Sequence, residues 1–208
     1  MIDKILSKKI VPVAVIHDSR HAVQIAEALL EAELNVIEVT LRTEAAIESI
    51  AAIKKSAPEM IIGAGTLLDY KLIPRLLDIG ISFAITPGLN PLVIESAQKH
   101  NLLIMPGVIT PSEIEQARNS GLELLKFFPA EAAGGAGMLK AFAGPYGHTG
   151  LRFIPTGGIN ESNIRSYLDI ECVAAVGGSW FVSDKLVRQE KFDEITRLSR
   201  EAINLAQQ

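Results

Sequence analysis

Eight short apolar runs rich in β-branched residues alternate with segments of helical period, and together they predict an α/β chain folded as a single (β/α)8 TIM barrel. Three observations carry that expectation. The runs are four to six residues long, as expected of strands buried on both faces of a parallel sheet. The segments between them repeat apolar residues at helical spacing. Shared among eight units, 208 residues give 26 each, enough for one strand, one helix and two short loops.

The strand-like runs are Val11–Ile16, Val36–Leu41, Met60–Ala64, Ser82–Thr86, Leu102–Met105, Leu124–Phe128, Arg152–Pro155 and Val173–Val176. Between them, Ala22, Ile25, Ala26, Leu29 and Leu30 form one helical stripe; Ile47, Ile50 and Ile53 form a second; Ile195, Leu198, Ala202 and Leu205 form another. Thr110-Pro111-Ser112-Glu113 reads as a capping box with proline in the first turn. Asn160–Asn163 and Ser183-Asp184 are further polar lead-ins to helices. Strict alternation implies parallel strands with right-handed crossovers. An open doubly wound sheet is the structural alternative, but it usually carries Gly-x-Gly-x-x-Gly after its first strand, where this chain has Ile16-His17-Asp18-Ser19-Arg20. No Pro/Ser-rich linker interrupts residues 1–208, so one domain is expected.

Composition narrows the function classes. The chain is 48% hydrophobic and 21% charged, too apolar for a disordered segment. A chain this long buries roughly 70% of its unfolded surface without disulfide or metal staples. One cysteine, Cys172, excludes a disulfide framework, and its apolar context suits the core better than a nucleophile. Twenty Lys and Arg against 24 Asp and Glu leave a net charge of −4, with no basic stripe for nucleic acid. No apolar run approaches the ~20 residues of a membrane span. With no signal-peptide pattern at Met1, a cytoplasmic protein is expected.

In a barrel, chemistry gathers at the C-terminal ends of the strands. On the second strand, Glu38, Thr40 and Arg42 share one face and Ile37, Val39 and Leu41 the other. If the apolar face packs on helices, the polar one points inward, where charge must be paired. An internal Glu38–Arg42 ion pair is the structural reading. On the sixth strand, Lys126 lies in an apolar and aromatic run with no acid beside it, and a closed barrel has no edge to expose it. Near Arg42 and in apolar surroundings, a neutral amine is favoured, as imine chemistry with a ketone requires. Glu38 is then placed as the proton carrier.

The seventh run ends in Pro155-Thr156-Gly157-Gly158 and the eighth in Gly177-Gly178-Ser179-Trp180. Glycines at these ends, the usual phosphate site of such barrels, suggest an anion cradle, although glycine also makes tight turns. Gly63-Ala64-Gly65-Thr66 and Thr86-Pro87-Gly88 read by themselves as simple turns. The four histidines, His17, His21, His100 and His148, form no ligand pattern, so no metal is expected.

Six segments resemble one family. Ile37-Glu38-Val39-Thr40-Leu41-Arg42-Thr43, Gly63–Thr66, Thr86–Gly88, Lys126-Phe127-Phe128-Pro129-Ala130-Glu131, Pro155–Ile159 and Gly177–Trp180 are collinear with the bacterial 2-keto-3-deoxy-6-phosphogluconate aldolases. The resemblance implies a class I aldolase without a cofactor, acting on a phosphorylated keto acid and usually assembled as a homotrimer. It implies that Lys126 forms the imine and Glu38 is the general acid/base. Arg42 and Thr66 would hold the pyruvate carboxylate, Pro87 and Phe128 would wall the pocket, and Thr156, Gly157, Gly158 and Ser179 would line the substrate and its phosphate. Some relatives carry Arg or Lys after the first strand to grip the phosphate; here the residues are His17-Asp18, with Arg20 as the nearest cation to reach back. Some relatives also cleave 4-hydroxy-2-oxoglutarate. Two further readings of the residues are a phosphate-binding barrel of another reaction class and a non-catalytic barrel that binds a phosphorylated ligand.

Overall fold

The computed structural model describes residues Met1–Gln208. Its strands are β1 (Ile10–Ala14), β2 (Val36–Thr40), β3 (Ile61–Gly65), β4 (Phe83–Ile85), β5 (Leu103–Met105), β6 (Gly107–Val108), β7 (Leu124–Phe127), β8 (Arg152–Pro155) and β9 (Val176–Gly178). One sheet runs β5-β4-β3-β2-β1-β9 and a second β6-β7-β8, with every paired strand parallel. The two sheets are arcs of one ring. At one seam, β5 and β6 are a single strand interrupted at Pro106, whose carbonyl accepts the Lys126 N–H at 2.9 Å. At the other, Phe153 pairs with Val173 and Thr156 with Gly177. The ring therefore has eight members and closes as a (β/α)8 barrel, which excludes the open-sheet alternative.

The helices are α1 (Ile2–Leu6), α2 (Ala22–Glu31), α3 (Ala46–Ser56), α4 (Ile73–Ile79), α5 (Pro91–Lys99), α6 (Pro111–Asn119), α7 (Gly135–Tyr146), α8 (Ile164–Leu168), α9 (Asp184–Arg188) and α10 (Phe192–Gln207). Ile25, Ala26 and Leu29 of α2 and Ile50 and Ile53 of α3 are fully buried, as their spacing predicts. The Thr110 capping box opens α6: its hydroxyl accepts from the Glu113 N–H at 3.3 Å, and the Glu113 carboxylate accepts from the Thr110 N–H at 2.9 Å. Such a cap stabilises a helix by about 1 kcal/mol. Outside the ring, Phe127 and Phe153 pack on Phe142 of α7, with ring centroids 6.0 and 6.2 Å apart. Cys172 is buried in this core, and burial pushes its thiol pKa up.

Two strand assignments shift by two residues or more, while others move by a single residue at an end. β1 stops at Ala14 rather than Ile16. The eighth ring strand lies at Val176–Gly178 rather than Val173–Val176, and Val173 makes only an isolated bridge. Gly177 and Gly178 are strand residues paired with Val11 and Pro12, not turn residues after the strand. The reason is packing: a Cβ on Gly177 would sit 3.0 Å from Thr156 Cγ2, and one on Gly178 2.7 Å from Trp180 Cε3.

Candidate active site

Registered neighbours in a parallel sheet point to the same side, so the pairing Glu38 with Gly63 and Thr40 with Gly65 fixes the inner face of β2. Lys126 of β7 faces inward from the opposite arc, and its Nζ donates to Glu38 Oε1 at 3.3 Å. Both residues are buried, Glu38 at 1% and Lys126 at 5% relative exposure. Glycine makes the room. A Cβ on Gly65 would lie 2.6 Å from Glu38 Cγ, and Gly107, the registered neighbour of Lys126, has no space for one against the Pro87-Gly88 backbone. The Phe128 ring lies 5.0 Å from Lys126 Nζ, within cation–π range.

This arrangement corrects two expectations. Glu38 pairs with Lys126, and no Glu38–Arg42 ion pair forms. The amine is not left to apolar surroundings and Arg42, because its partner is a carboxylate 88 residues away in sequence. An acid beside the amine supplies both the counter-charge and a place for its proton. Removing one member of such a buried pair costs about 3–5 kcal/mol, because the other is left uncompensated.

The rim carries the remaining candidates. Arg42 follows β2 and is exposed; its Nε donates to Thr40 Oγ1 at 3.5 Å. Thr66 follows β3 with φ of 56°, a left-handed conformation that costs a threonine about 1–2 kcal/mol. Such local strain is often found at functional sites. Two hydroxyls without a role in the sequence reading hold the rim: Thr43 Oγ1 donates to the Ile16 carbonyl at 2.5 Å, and Thr86 Oγ1 to the Gly88 carbonyl at 2.7 Å. The second fixes the turn that carries Pro87.

At the ends of β8 and β9, Gly157 and Gly158 have φ of 101° and 82°, open to glycine and strained for other residues. The N–H groups of Gly157, Gly158, Ile159 and Ser179 donate to no protein acceptor. The isolated bridge of Thr156 with Gly177 brings the starts of the Gly157-Gly158 and Gly178-Ser179 segments to neighbouring places on the ring. The four amides thus collect at one end of the barrel, where an anion would find donors. Arg20 does not supply a cation there: its guanidinium is clamped on Asp18, with Nη2 to Oδ2 at 2.6 Å. That hydrogen bond, with the Arg20 backbone N–H, holds the Asp18 pKa at about 2. His17 Nε2 lies 3.7 Å from Asp184 Oδ1. With Val15, Arg42, Thr43 and Asp184 it lines a shallow hollow of about 360 Å³. His21 faces Glu190, and His100 Nδ1 contacts the Ser96 carbonyl; no three His, Cys, Asp or Glu side chains come together as a ligand set.

The sequence profile of the KDPG and KHG aldolases matches residues 1–198. The chain belongs to this family. A 2-dehydro-3-deoxy-phosphogluconate aldolase of Haemophilus influenzae is 42% identical over 205 residues, covering 99% of this chain and 96% of that protein. A KHG/KDPG aldolase of Escherichia coli is 43% identical over 194 residues, covering 93% and 90%. Among solved structures, this aldolase-family chain is similar to the KDPG aldolase of Legionella pneumophila, with a TM-score of 0.91 and 37% identity over 95% of both chains. That structure holds pyruvate as a covalent carbinolamine intermediate.

Proposed function

We propose that this aldolase-family chain cleaves 2-keto-3-deoxy-6-phosphogluconate to pyruvate and glyceraldehyde 3-phosphate through an imine on Lys126. The observation that carries this reading is the buried Lys126–Glu38 pair, an amine with a proton acceptor 3.3 Å away inside the barrel. Proton transfer from Nζ to Glu38 frees a lone pair, which attacks the C2 ketone. Glu38 returns the proton as the carbinolamine loses water, giving a protonated imine. Glu38, through a water, then takes the proton of the C4 hydroxyl. The C3–C4 bond breaks, and its electrons enter the iminium to leave an enamine on Lys126 and an aldehyde at C4. Protonation at C3 and hydrolysis release pyruvate and restore the amine. The iminium is the electron sink, so the reaction needs no cofactor.

Arg42 and Thr66 orient the pyruvate carboxylate in this reading, and Pro87 and Phe128 enclose the keto acid. Thr156, Gly157, Gly158 and Ser179 receive the phosphate. Fixing the substrate at both ends supplies several kcal/mol of barrier reduction. Cleavage of 4-hydroxy-2-oxoglutarate by the same steps is favoured by one observation: Arg20 is tied to Asp18, so the cradle relies on amides rather than a guanidinium.

Residues 1–208 act as one catalytic domain in the cytoplasm; no helix is long and apolar enough to cross a membrane. Assembly as a homotrimer is supported by Leu68, Tyr70 and Leu92, large apolar side chains exposed on the connection after β3 and at the start of α5. Sedimentation of the wild type and of Leu92→Glu tests that assembly, and a monomeric wild type refutes it.

Incubation with pyruvate and borohydride tests the chemistry. A stable mass gain on Lys126, absent from Lys126→Ala, is expected. A wild type that gains no mass and cleaves neither keto acid refutes the aldolase reading in favour of a barrel of another class.

A further inference from the structure

Resting on the aldolase reading, we propose that Tyr167 and Glu131 are positioning residues for the phosphate end of the substrate, and thereby set the preference for a phosphorylated keto acid. Three carbonyls of the turn after β8 are anchored. Thr156 O accepts from the Ala130 N–H at 2.8 Å, Gly157 O from the Glu131 N–H at 3.0 Å, and Gly158 O from Asn163 Nδ2 at 3.1 Å. In a trans peptide the carbonyl and the following N–H point in opposite directions. Anchoring these three oxygens therefore turns out the N–H groups of Gly157, Gly158 and Ile159, the same amides that lack a protein acceptor. The cradle's aim is set from behind.

Two of the three anchors come from the segment that continues the Lys126 strand, and Glu131 is its key member. Its side chain fills the space beneath Gly158, where an added Cβ would lie 2.6 Å from Glu131 Cγ and 2.7 Å from its Cβ. Its Oε1 accepts a hydrogen bond from the Tyr167 hydroxyl of α8. Tyr167 is fully buried. Burial first, and then this bond, raise its pKa well above the ordinary phenol value, so it remains a donor throughout the working range. Tyr167 thus holds Glu131, Glu131 holds the turn, and the turn presents its amides at a set distance from the amine.

Losing the hydroxyl lets the turn relax without touching the Lys126–Glu38 pair. Tyr167→Phe is expected to raise KM for 2-keto-3-deoxy-6-phosphogluconate about tenfold, the effect of one well-placed hydrogen bond. Its kcat and its half-saturation by pyruvate in borohydride trapping should stay within about twofold of wild type, a tolerance far smaller than the tenfold effect. Asn163→Ala should behave alike. Glu131→Gln keeps an oxygen for Tyr167 and should retain the wild-type ratio of the two constants, whereas Glu131→Ala should not. Glycerol 3-phosphate affinity, measured by calorimetry, should fall in parallel with the rise in KM. If the two constants move together, or if neither moves in Tyr167→Phe, the proposal is overturned. A wild type that traps no pyruvate sinks the aldolase reading instead, and the calorimetric series then judges the cradle alone.

Discussion

Gly65→Ala places one methyl group where the barrel has no room for it. The new Cβ would sit 2.6 Å from Glu38 Cγ and 2.8 Å from Cδ, whereas ordinary contact begins at 3.4 Å. The shortfall at Cγ is 0.8 Å (3.4 less 2.6), and the carboxyl oxygen lies closer still. Glu38 is 1% exposed, so it has no solvent to swing into. A retreat of that size carries the carboxylate off the Lys126 amine. Misplacing a catalytic group by about 1 Å costs about a hundredfold in rate. Overpacking adds a loss of about 1–3 kcal/mol in stability. The assay is kcat for cleavage of the phosphorylated six-carbon acid, read beside the thermal melt. A folded Gly65→Ala enzyme within threefold of wild-type kcat would refute the idea that glycine here exists to seat Glu38.

Glu38→Gln should lower kcat by about 10²–10⁴-fold, the usual worth of a positioned acid/base. Its half-saturation by pyruvate should change little, and full activity would move the proton carrier elsewhere. Thr66→Gly removes the left-handed strain at φ 56° and should melt slightly higher, by about 1 kcal/mol, while half-saturation by pyruvate rises severalfold; unchanged binding would remove Thr66 from the carboxylate. Because the Asp18 pKa is lowered from 3.8 to about 2, its contact with Arg20 stabilises the fold above pH 3.8 and loses that effect as pH falls through about 2. The melting difference between wild type and Asp18→Asn should accordingly be present at pH 5 and vanish near pH 2.

The chemistry was more legible than the geometry. Lys126 and Glu38 stand out because a charged side chain at an inward position of a closed barrel requires a reason; parity groups Glu38 with the polar face of its strand, and ring closure leaves Lys126 no edge to occupy. Their proximity follows from the proton-carrier role expected of Glu38, but the hydrogen bond itself joins residues 88 apart and is not written in local spacing. Arg42 looked like the natural partner only because it is near in sequence. Gly177 and Gly178 are ambiguous in sequence because glycine signals a turn as readily as a tight approach; Thr156 and Trp180 decide between them. The run at Leu102–Met105 ends at Pro106, yet the strand resumes at Gly107, which sequence treats as punctuation. Thr66 has no local signature because a backbone angle is not written in a residue type. The two anchoring hydroxyls, Thr43 and Thr86, escaped for the reason that the Lys126–Glu38 contact did or, in the case of Thr86, because a short turn seemed to need no support.

The amine and its acid partner are contributed by distant stretches of one polypeptide, and the seams that bring them together are slender: a proline interruption on one side and two bridges on the other. A fragment ending before residue 120 keeps the acid, and its complement keeps the amine, but neither alone encloses a ketone. Reactivity toward pyruvate is therefore an all-or-none reporter of ring closure, and recovery of adduct formation on mixing two such fragments would count reassembled molecules one by one.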